Sequence, residues 1–458
     1  MHAPDFSPDF DPNQPLSVDD AMALATRLHR AGQRATAFEI YRRVLALVPK
    51  HTDALHFMGL LAHEQGAHAD AIRLMAYSVE LAPDHPPFRS NFGNVLLTAE
   101  RFEEAEDQYR AALALEPDRP DALINYAVLY ATQGRFAEGE QLLRRLLDLY
   151  PDFTEARQNL ARLYLRQGRI EEATGQALEA IARDPDSTPT WELLGYAYCR
   201  LTRFEEAAQV FRNWLVVEPD HPKARHLLAA CTGESVPPRA SDAYVKSVFD
   251  DFADSFDGRL AKLDYRAPTL TAAAIADCLG AGVGDLEVLD AGCGTGLCGP
   301  LLKPFAGRLI GVDLSSRMLD KARARGLYDA LRQAEIASYL QGQPERFDLI
   351  VSADTLVYFG LLDAVMTAAA QALRPGGLLC FTLEALDDAE TGDYRLRYHG
   401  RYAHAGTYVR ARLEQAGLTM LRCDRETLRQ EGGEPVPGWL VLARRPAMAP
   451  KAYLATRI

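Results

Sequence analysis

Six prolines stand 34 residues apart, at 49, 83, 117, 151, 185 and 219. A fixed period of that length marks a supersecondary unit stacked on copies of itself, because each unit buries its apolar face only against its neighbours. Small residues recur where paired helices must touch. Gly59, Gly93, Ala127, Ala161 and Gly195 share one position; Ala37, Ala71, Ala105, Gly139, Ala173 and Ala207 share another. Rings recur at Tyr41, Tyr109 and Phe211, and glycines at 32, 66, 134 and 168 mark turns. The spacing predicts a helix–turn–helix in six copies over about 18–221, with Pro222–Cys231 opening a helix that covers the last copy.

This pattern resembles the tetratricopeptide repeat. Such an array has no chemistry of its own; its use is a concave surface. Asn91, Asn125 and Asn159 hold one position in three successive windows. An amide side chain donates and accepts together, which suits the backbone of an extended peptide. The three resemble the asparagine ladder of certain peptide-binding tetratricopeptide superhelices, those of sugar-transferring enzymes among them. That resemblance implies a protein or peptide partner in the groove. The alternative is that the amides only solvate the groove wall or cap nearby backbone.

A stretch with the Pro, Gly and Ser content of a linker follows at Thr232–Ser241. Next, Phe249, Phe252 and Phe256 sit at helical spacing on one face, with Asp250, Asp251, Asp254 and Asp257 on the others. From 285 to 383 apolar strands alternate with helices, which implies a parallel sheet covered on both faces. Ligands of such a sheet bind beyond the carboxyl ends of its strands. There the segment Val288-Leu-Asp-Ala-Gly-Cys-Gly-Thr-Gly-Leu-Cys-Gly299 carries an apolar run into Asp290, then Gly292, Gly294 and Gly296. Glycines at alternate positions let a strand turn tightly into a helix and a ligand lie against bare N–H groups. The tail differs: Thr419–Arg429 and Trp439–Arg444 read as an antiparallel hairpin joined by Glu431–Gly438.

The glycine segment resembles the first motif of class I methyltransferases that use S-adenosylmethionine. Gly294-Thr-Gly-Leu-Cys-Gly299 also fits the GxGxxG of dinucleotide binders, a weak signal alone. Three features favour the methyltransferase. Asp290 stands just before the glycines; the dinucleotide register would put its last glycine at Leu297; and Arg374-Pro-Gly-Gly377 is similar to the turn before that family's fifth strand. A domain that binds no cofactor is the remaining alternative. The resemblance implies that Asp290, Gly292, Gly294 and Gly296 surround the amino-acid end of S-adenosylmethionine. It places the ribose on Asp313, and the adenine on Leu314, Glu335 and Ile336. Gly296 serving the turn alone is the plainer reading. The phenylalanine-faced segment falls where this family often has a lid over the cofactor; the alternative is a helix merely docked on the core.

Methyl transfer is an in-line displacement, so the protein mainly aligns the nucleophile and excludes water. A base is needed only if the acceptor must lose a proton near the transition state. Asp354 ends the fourth strand and faces the expected transfer zone, with a helix N-cap as its alternative role. Tyr398-His-Gly-Arg-Tyr-Ala-His404 offers His399, Tyr402 and His404 as further catalytic candidates, the alternative being an exposed polar loop. Glu384 and Tyr358 are additional pocket candidates.

The whole chain is similar to a bacterial family predicted as class I S-adenosylmethionine-dependent methyltransferases with N-terminal tetratricopeptide repeats. The likeness runs through Phe249–Phe256, Tyr265-Arg-Ala-Pro268, Gly400–His404 and Gly433-Glu-Pro-Val-Pro-Gly438. A looser similarity links the catalytic part to quinone-biosynthesis methyltransferases, which act on small molecules. The expected fold class is α plus α/β. An all-α solenoid would precede a Rossmann-like domain with a mostly parallel seven-stranded sheet and an antiparallel C-terminal hairpin. The expected divisions are an acidic Pro-rich tail at 1–17, repeats at 18–233, linker and lid at 234–268, catalytic domain at 269–445 and a tail at 446–458. Either this is an enzyme whose repeats bring a protein, for a small-molecule or protein acceptor, or the repeats are the working part and the second domain is a cofactor sensor or scaffold.

Charge and composition set outer limits. A net charge of −13 argues against nucleic acid as a partner. No apolar run approaches the roughly 20 residues of a membrane helix, and the N-terminus lacks a secretory pattern. Seven cysteines without paired CxxC clusters predict neither a metal site nor disulfides. A cytoplasmic protein is expected.

Overall fold

The computed structural model describes residues 16–253, 255–280, 284–387 and 389–447. The tails expected at 1–17 and 446–458 fall outside the described residues except for 16–17 and 446–447, and so does Asp254. Two compact units divide the chain, one ending at Ala197 and one beginning at Tyr198. That boundary lies inside the helix Thr188–Arg200.

The first unit is built of helix pairs. They are α1 (Val18–Arg30) with α2 (Arg34–Leu47), α3 (Thr52–Glu64) with α4 (His68–Leu81), α5 (Pro86–Thr98) with α6 (Phe102–Leu115), α7 (Pro120–Thr132) with α8 (Phe136–Leu149), and α9 (Thr154–Arg166) with α10 (Ile170–Arg183). Each first helix packs on its own partner and, from α3 onward, on the second helix of the preceding pair. The recurring small residues make that contact possible. A Cβ at Gly59 would lie 2.5 Å from the Met75 side chain, and one at Gly93 would lie 2.6 Å from the Tyr109 ring. Tyr41 and Tyr109 are fully buried. The turn glycines all take positive φ, from 75° to 78°; Glu100 accepts the same left-handed conformation in the third window at φ 58°.

A polar clamp with the same period was not foreseen. Glu106 accepts from Tyr126 at 2.9 Å and from Arg135 at 2.8 Å, with the Arg135 guanidinium 4.1 Å from the Tyr130 ring centre. One repeat later, Glu140 accepts from Tyr164 at 2.9 Å and from Arg169 at 2.6 Å, and Arg169 lies 4.1 Å from the Tyr164 ring centre. The expected asparagine ladder is not uniform. Asn91 Nδ2 meets His56 Nε2 at 3.1 Å, while Asn159 donates to the Glu155 carbonyl of its own helix at 3.0 Å. Two of the three amides are therefore already engaged within the array.

The helix α11 (Thr188–Arg200) leads into the second unit, which holds α12 (Phe204–Val217), α13 (Pro222–Thr232), α14 (Asp242–Phe252), α15 (Phe256–Ala261) and α16 (Ala267–Leu279). A mostly parallel sheet follows: β1 (Leu286–Ala291), α17 (Gly299–Leu302), β2 (Ala306–Asp313), α18 (Ser316–Ala324), β3 (Ala330–Gln333), α19 (Ile336–Gln341), β4 (Phe347–Ser352), α20 (Asp363–Ala372) and β5 (Leu373–Ala385). A short insertion adds β6 (Tyr394–Leu396) and β7 (Tyr402–His404). The chain ends in α21 (Gly406–Gln415), β8 (Thr419–Glu431) and β9 (Glu434–Arg444). Strand order is β3-β2-β1-β4-β5, with β9 antiparallel on β5 and β8 antiparallel on β9. These seven strands are the expected sheet, and β6 and β7 extend it at the carboxyl end of β5. The order reverses beside β1, so the carboxyl ends of β1, β2 and β4 open onto one crevice.

The final hairpin is longer than its prolines suggest. β8 and β9 run on to Glu431 and Glu434 across Gly432-Gly433, whose φ values of 62° and 86° suit a two-residue hairpin turn. Pro435 and Pro437 are tolerated because β9 pairs with β5 only from Gly438 onward, so their missing N–H groups face no ladder there.

Candidate active site

The glycine turn leaves β1 but stays tied to β2, because Gly292 and Cys293 both donate to the Val312 carbonyl at 2.8 and 3.0 Å. Gly292, Gly294 and Gly296 all have positive φ, yet for different reasons. A Cβ on Gly292 would overlap Thr355, and one on Gly296 would lie 2.9 Å from the Tyr328 ring. A Cβ on Gly294 would meet nothing nearer than Phe256 at 4.0 Å. Gly294 is thus the bare backbone that fronts open space, a cradle any other residue would begin to fill.

That space is a cavity of about 230 Å³. Gly292, Cys293, Gly294, Thr295, Asp313, Leu314, Glu335 and Ile336 line one end. Asp313 Oδ2 accepts from Gly294 N at 2.9 Å and Oδ1 from Ser315 N at 2.8 Å, so the carboxylate braces the turn and still borders the cavity. Burial pushes its carboxyl above the usual range. Glu335 caps α19, accepting from Ala337 N at 3.0 Å and Ser338 N at 2.8 Å, which fixes it at the rim.

Two expected cofactor contacts are placed elsewhere. Asp290 and Gly296 lie behind the turn and not on the cavity wall. Asp290 is 1% exposed and accepts from the Tyr328 hydroxyl at 2.6 Å; burial pushes its carboxyl up to about 7. Gly296 gives room to the same Tyr328 ring, in keeping with the turn-only reading.

The opposite end is ionic. Asp354 follows β4 in a left-handed conformation, φ 52°, which is uncommon outside glycine but which Asp adopts more readily than most residues. Its N–H donates to Thr382 Oγ1 at 2.8 Å, and its carboxylate takes both bonds of Arg429 Nη1, at 3.0 and 3.1 Å. Asp354 is therefore not a helix cap. Arg429 is 1% exposed and also pairs with Glu384 and, at 3.1 Å, with Glu431. Arg401 lies 2.7 Å from Glu384 and 2.5 Å from Glu431. Three carboxylates and two guanidiniums leave this cluster one negative charge. Burial alone would raise Glu384, but Arg401 and Arg429 outweigh it and hold the carboxyl at about 2. Burial raises Asp354 despite the pull of Arg429. Asp354, Arg401, Arg429 and Glu431 all reach the cavity wall.

Of the three candidates in the Tyr398–His404 segment, none lines the cavity. His399 sits behind Glu384 at 3.5 Å, and burial lowers its imidazole to about 4, so it is neutral near pH 7. Tyr402 and His404 are fully buried in β7. The Tyr402 hydroxyl donates to the Pro237 carbonyl at 2.8 Å, and His404 Nε2 meets the Gly360 carbonyl at 3.2 Å. Both serve packing, because β6 and β7 turn the segment into sheet. The charged residue the segment does deliver to the cavity is Arg401. Arg429 and Glu431 were missed altogether; their only signal was two charges at alternate positions of a strand, which share one face.

The roof comes from α14 and α15. Phe249, Phe252 and Phe256 all line the cavity, with Phe249 edge-on to Tyr358 at 5.5 Å and to Phe256 at 6.0 Å. Their acidic neighbours act as latches. Asp257 accepts from Thr295 Oγ1 at 2.5 Å and pairs with Arg325, while Asp250 accepts from Ser315 Oγ. The linker is stitched down as well. Ala240 N donates to the Tyr358 carbonyl at 2.8 Å, and Gly360 N and Leu361 N donate to the Pro238 carbonyl at 2.9 and 2.8 Å.

Residues 288–377 match a methyltransferase domain family, and residues 22–86, 91–152, 131–194 and 190–223 match tetratricopeptide repeat families. A ubiquinone biosynthesis O-methyltransferase of Chelativorans sp. (strain BNC1) is 34% identical over 129 residues, covering 26% of this chain and 51% of that protein. Methyltransferase-like protein 27 of Homo sapiens is 32% identical over 172 residues, covering 37% of this chain and 66% of that protein. The chain thus spans about half the length of the first of these relatives and just under two thirds of the second. An S-adenosylmethionine dependent methyltransferase from Mesorhizobium loti, of known structure, is 24% identical with a TM-score of 0.31, covering 38% of this chain and 98% of that one. PilW, a type IV pilus biogenesis factor, is 20% identical with a TM-score of 0.43, covering 47% of this chain and all of that one.

Proposed function

We propose that this chain, which joins tetratricopeptide repeats to a methyltransferase domain, transfers a methyl group from S-adenosylmethionine to a small-molecule or protein-bound acceptor. The observation that carries the reading is one roofed cavity with bare backbone and a strand-end carboxylate at one end and a charged cluster at the other. The donor set fits the cofactor. Asp313 would take the ribose hydroxyls, Leu314 and Ile336 the faces of the adenine, and Glu335 its edge, while Gly292–Thr295 leave room for the amino-acid part. When bound, S-adenosylmethionine supplies a methyl carbon made electrophilic by its sulfonium.

The protein's own part is alignment and exclusion of water. Phe249, Phe252 and Phe256 roof the cavity with apolar surface, and aromatic faces near a sulfonium are favourable by cation–π attraction. Asp354 would hold a hydrogen-bond donor of the acceptor at the end of β4. Its raised carboxyl can also receive a proton if the acceptor must shed one. Arg429 keeps Asp354 in place, making it a positioning residue. The repeats, in this reading, bring a protein to the enzyme, which is the use to which stacked helix pairs are suited.

Calorimetric titration of the whole protein with S-adenosylmethionine tests the reading, and the expected result is one binding site per chain. Asp313→Ala should weaken binding at least tenfold while the protein stays folded. A folded wild-type protein that gives no heat would leave a repeat scaffold with an inert second domain.

A further inference from the structure

The helix α13 continues the repeat array in sequence, yet it packs on the segment that delivers Arg401. His226, in the middle of α13, is 4% exposed, and its Nε2 lies 2.9 Å from the Gly400 carbonyl. A carbonyl only accepts, so Nε2 carries the proton. The Gly400 carbonyl belongs to the peptide unit that leads into Arg401, so this one bond holds the plane from which the guanidinium departs. Gly400 has φ +86°, and a Cβ there would overlap the Tyr244 hydroxyl, so the backbone can approach only because the residue is glycine. The Tyr244 ring in turn packs on His226 at 4.0 Å between centres. Bonds from Gly400 N to the Arg397 carbonyl and from Arg397 N to the Arg401 carbonyl, both 2.8 Å, close the turn. Behind it, Ala229 of α13 is buried in one apolar cluster with Leu396 and Tyr402.

We propose that His226 is a positioning residue of the acceptor end: by holding the Gly400 carbonyl it sets Arg401 between Glu384 and Glu431, and α13 thereby supports the acceptor end from behind. This rests on the reading that the charged end of the cavity takes the acceptor. The cofactor end shares none of these contacts. Losing the His226 bond should therefore disturb one end of the cavity and spare the other.

The test uses the full chain with His226→Ala, His226→Gln and His226→Asn. Gln puts a donor where Nε2 stands, and Asn falls short of it. Amide exchange over 399–402 should accelerate at least tenfold in the Ala and Asn variants and return toward wild type in Gln, with α1–α10 unchanged. Calorimetric affinity for S-adenosylmethionine should stay within twofold throughout. With methyl-labelled S-adenosylmethionine and a cell extract as acceptor source, the extract concentration giving half-maximal transfer should rise at least tenfold in Ala and Asn only. If Ala does not fold, the Gln and Asn pair decides. Unchanged exchange at 399–402, equal loosening everywhere, or no rescue by Gln would overturn the proposal. A wild-type protein that binds no S-adenosylmethionine counts against the methyltransferase reading instead, and the exchange data still judge His226.

Discussion

At the scale of single residues, the cavity is organised by buried charges whose partners differ in kind. Asp290 has a hydroxyl, Tyr328, and no cation, so burial wins and its carboxyl rises from 3.8 to about 7. A carboxyl raised in the folded state contributes stability below its ordinary pKa and loses it as pH climbs through the folded value. Asp290→Asn keeps an oxygen for the Tyr328 hydroxyl and removes the titration. Its stability advantage over wild type in urea unfolding should therefore widen by roughly 2–3 kcal/mol between pH 5 and pH 8. Arg429 is the opposite case. It pairs with Asp354 and shares Glu384 and Glu431 with Arg401 from a site 1% exposed, so Arg429→Met strips Asp354 of its ion pair and leaves the cluster more negative. A loss of about 3–5 kcal/mol is expected by denaturant titration at pH 7, shrinking as the pH is lowered and the carboxylates protonate.

At the scale of elements, legibility followed locality. The 34-residue period gave the helix pairs, because each pair is specified by contacts with its neighbours in sequence. Leu314, Glu335 and Ile336, which line the cavity, were singled out only by the family resemblance. Asp313, on the same cavity, was traceable because a residue at the carboxyl end of a parallel strand faces the crevice whatever surrounds it. Tyr402 and His404 were not, since the facing of a short hairpin depends on what docks against it. Here the docking parts are the linker and α13, more than 160 residues away in sequence. Arg429 hid because a buried arginine in a strand has no periodic signature of its own. The roof was visible as a stripe of phenylalanines, but its fastening lay in the acids of the other face. Asp257→Asn keeps the shape and removes the charge that holds Arg325 and Thr295. Amide exchange across α14 and α15 should then speed up several-fold, with β1, β2 and β4 unaffected.

At the scale of the whole molecule, the repeat pattern and the compact units end at different places. The pattern runs to residue 221 and beyond, while the second unit already begins at Tyr198 and includes α12 and α13. A fragment beginning at Thr188 keeps α11 to α13 complete. It should stay monodisperse and bind S-adenosylmethionine as the full chain does. One beginning at Glu234 uncovers Leu396 and Tyr402, and should lose at least about 3 kcal/mol of stability and aggregate, as read by light scattering and chemical unfolding. The ionic cluster has a consequence for how the protein meets its solvent. Dissolved ions screen exposed charges over about 10 Å at 0.1 M, but they do not reach a pair such as Arg429 and Glu384, 1% and 5% exposed. Added electrolyte should therefore relax the clamps on the surface of the repeats well before it touches this end of the cavity, which carries its own counter-ions.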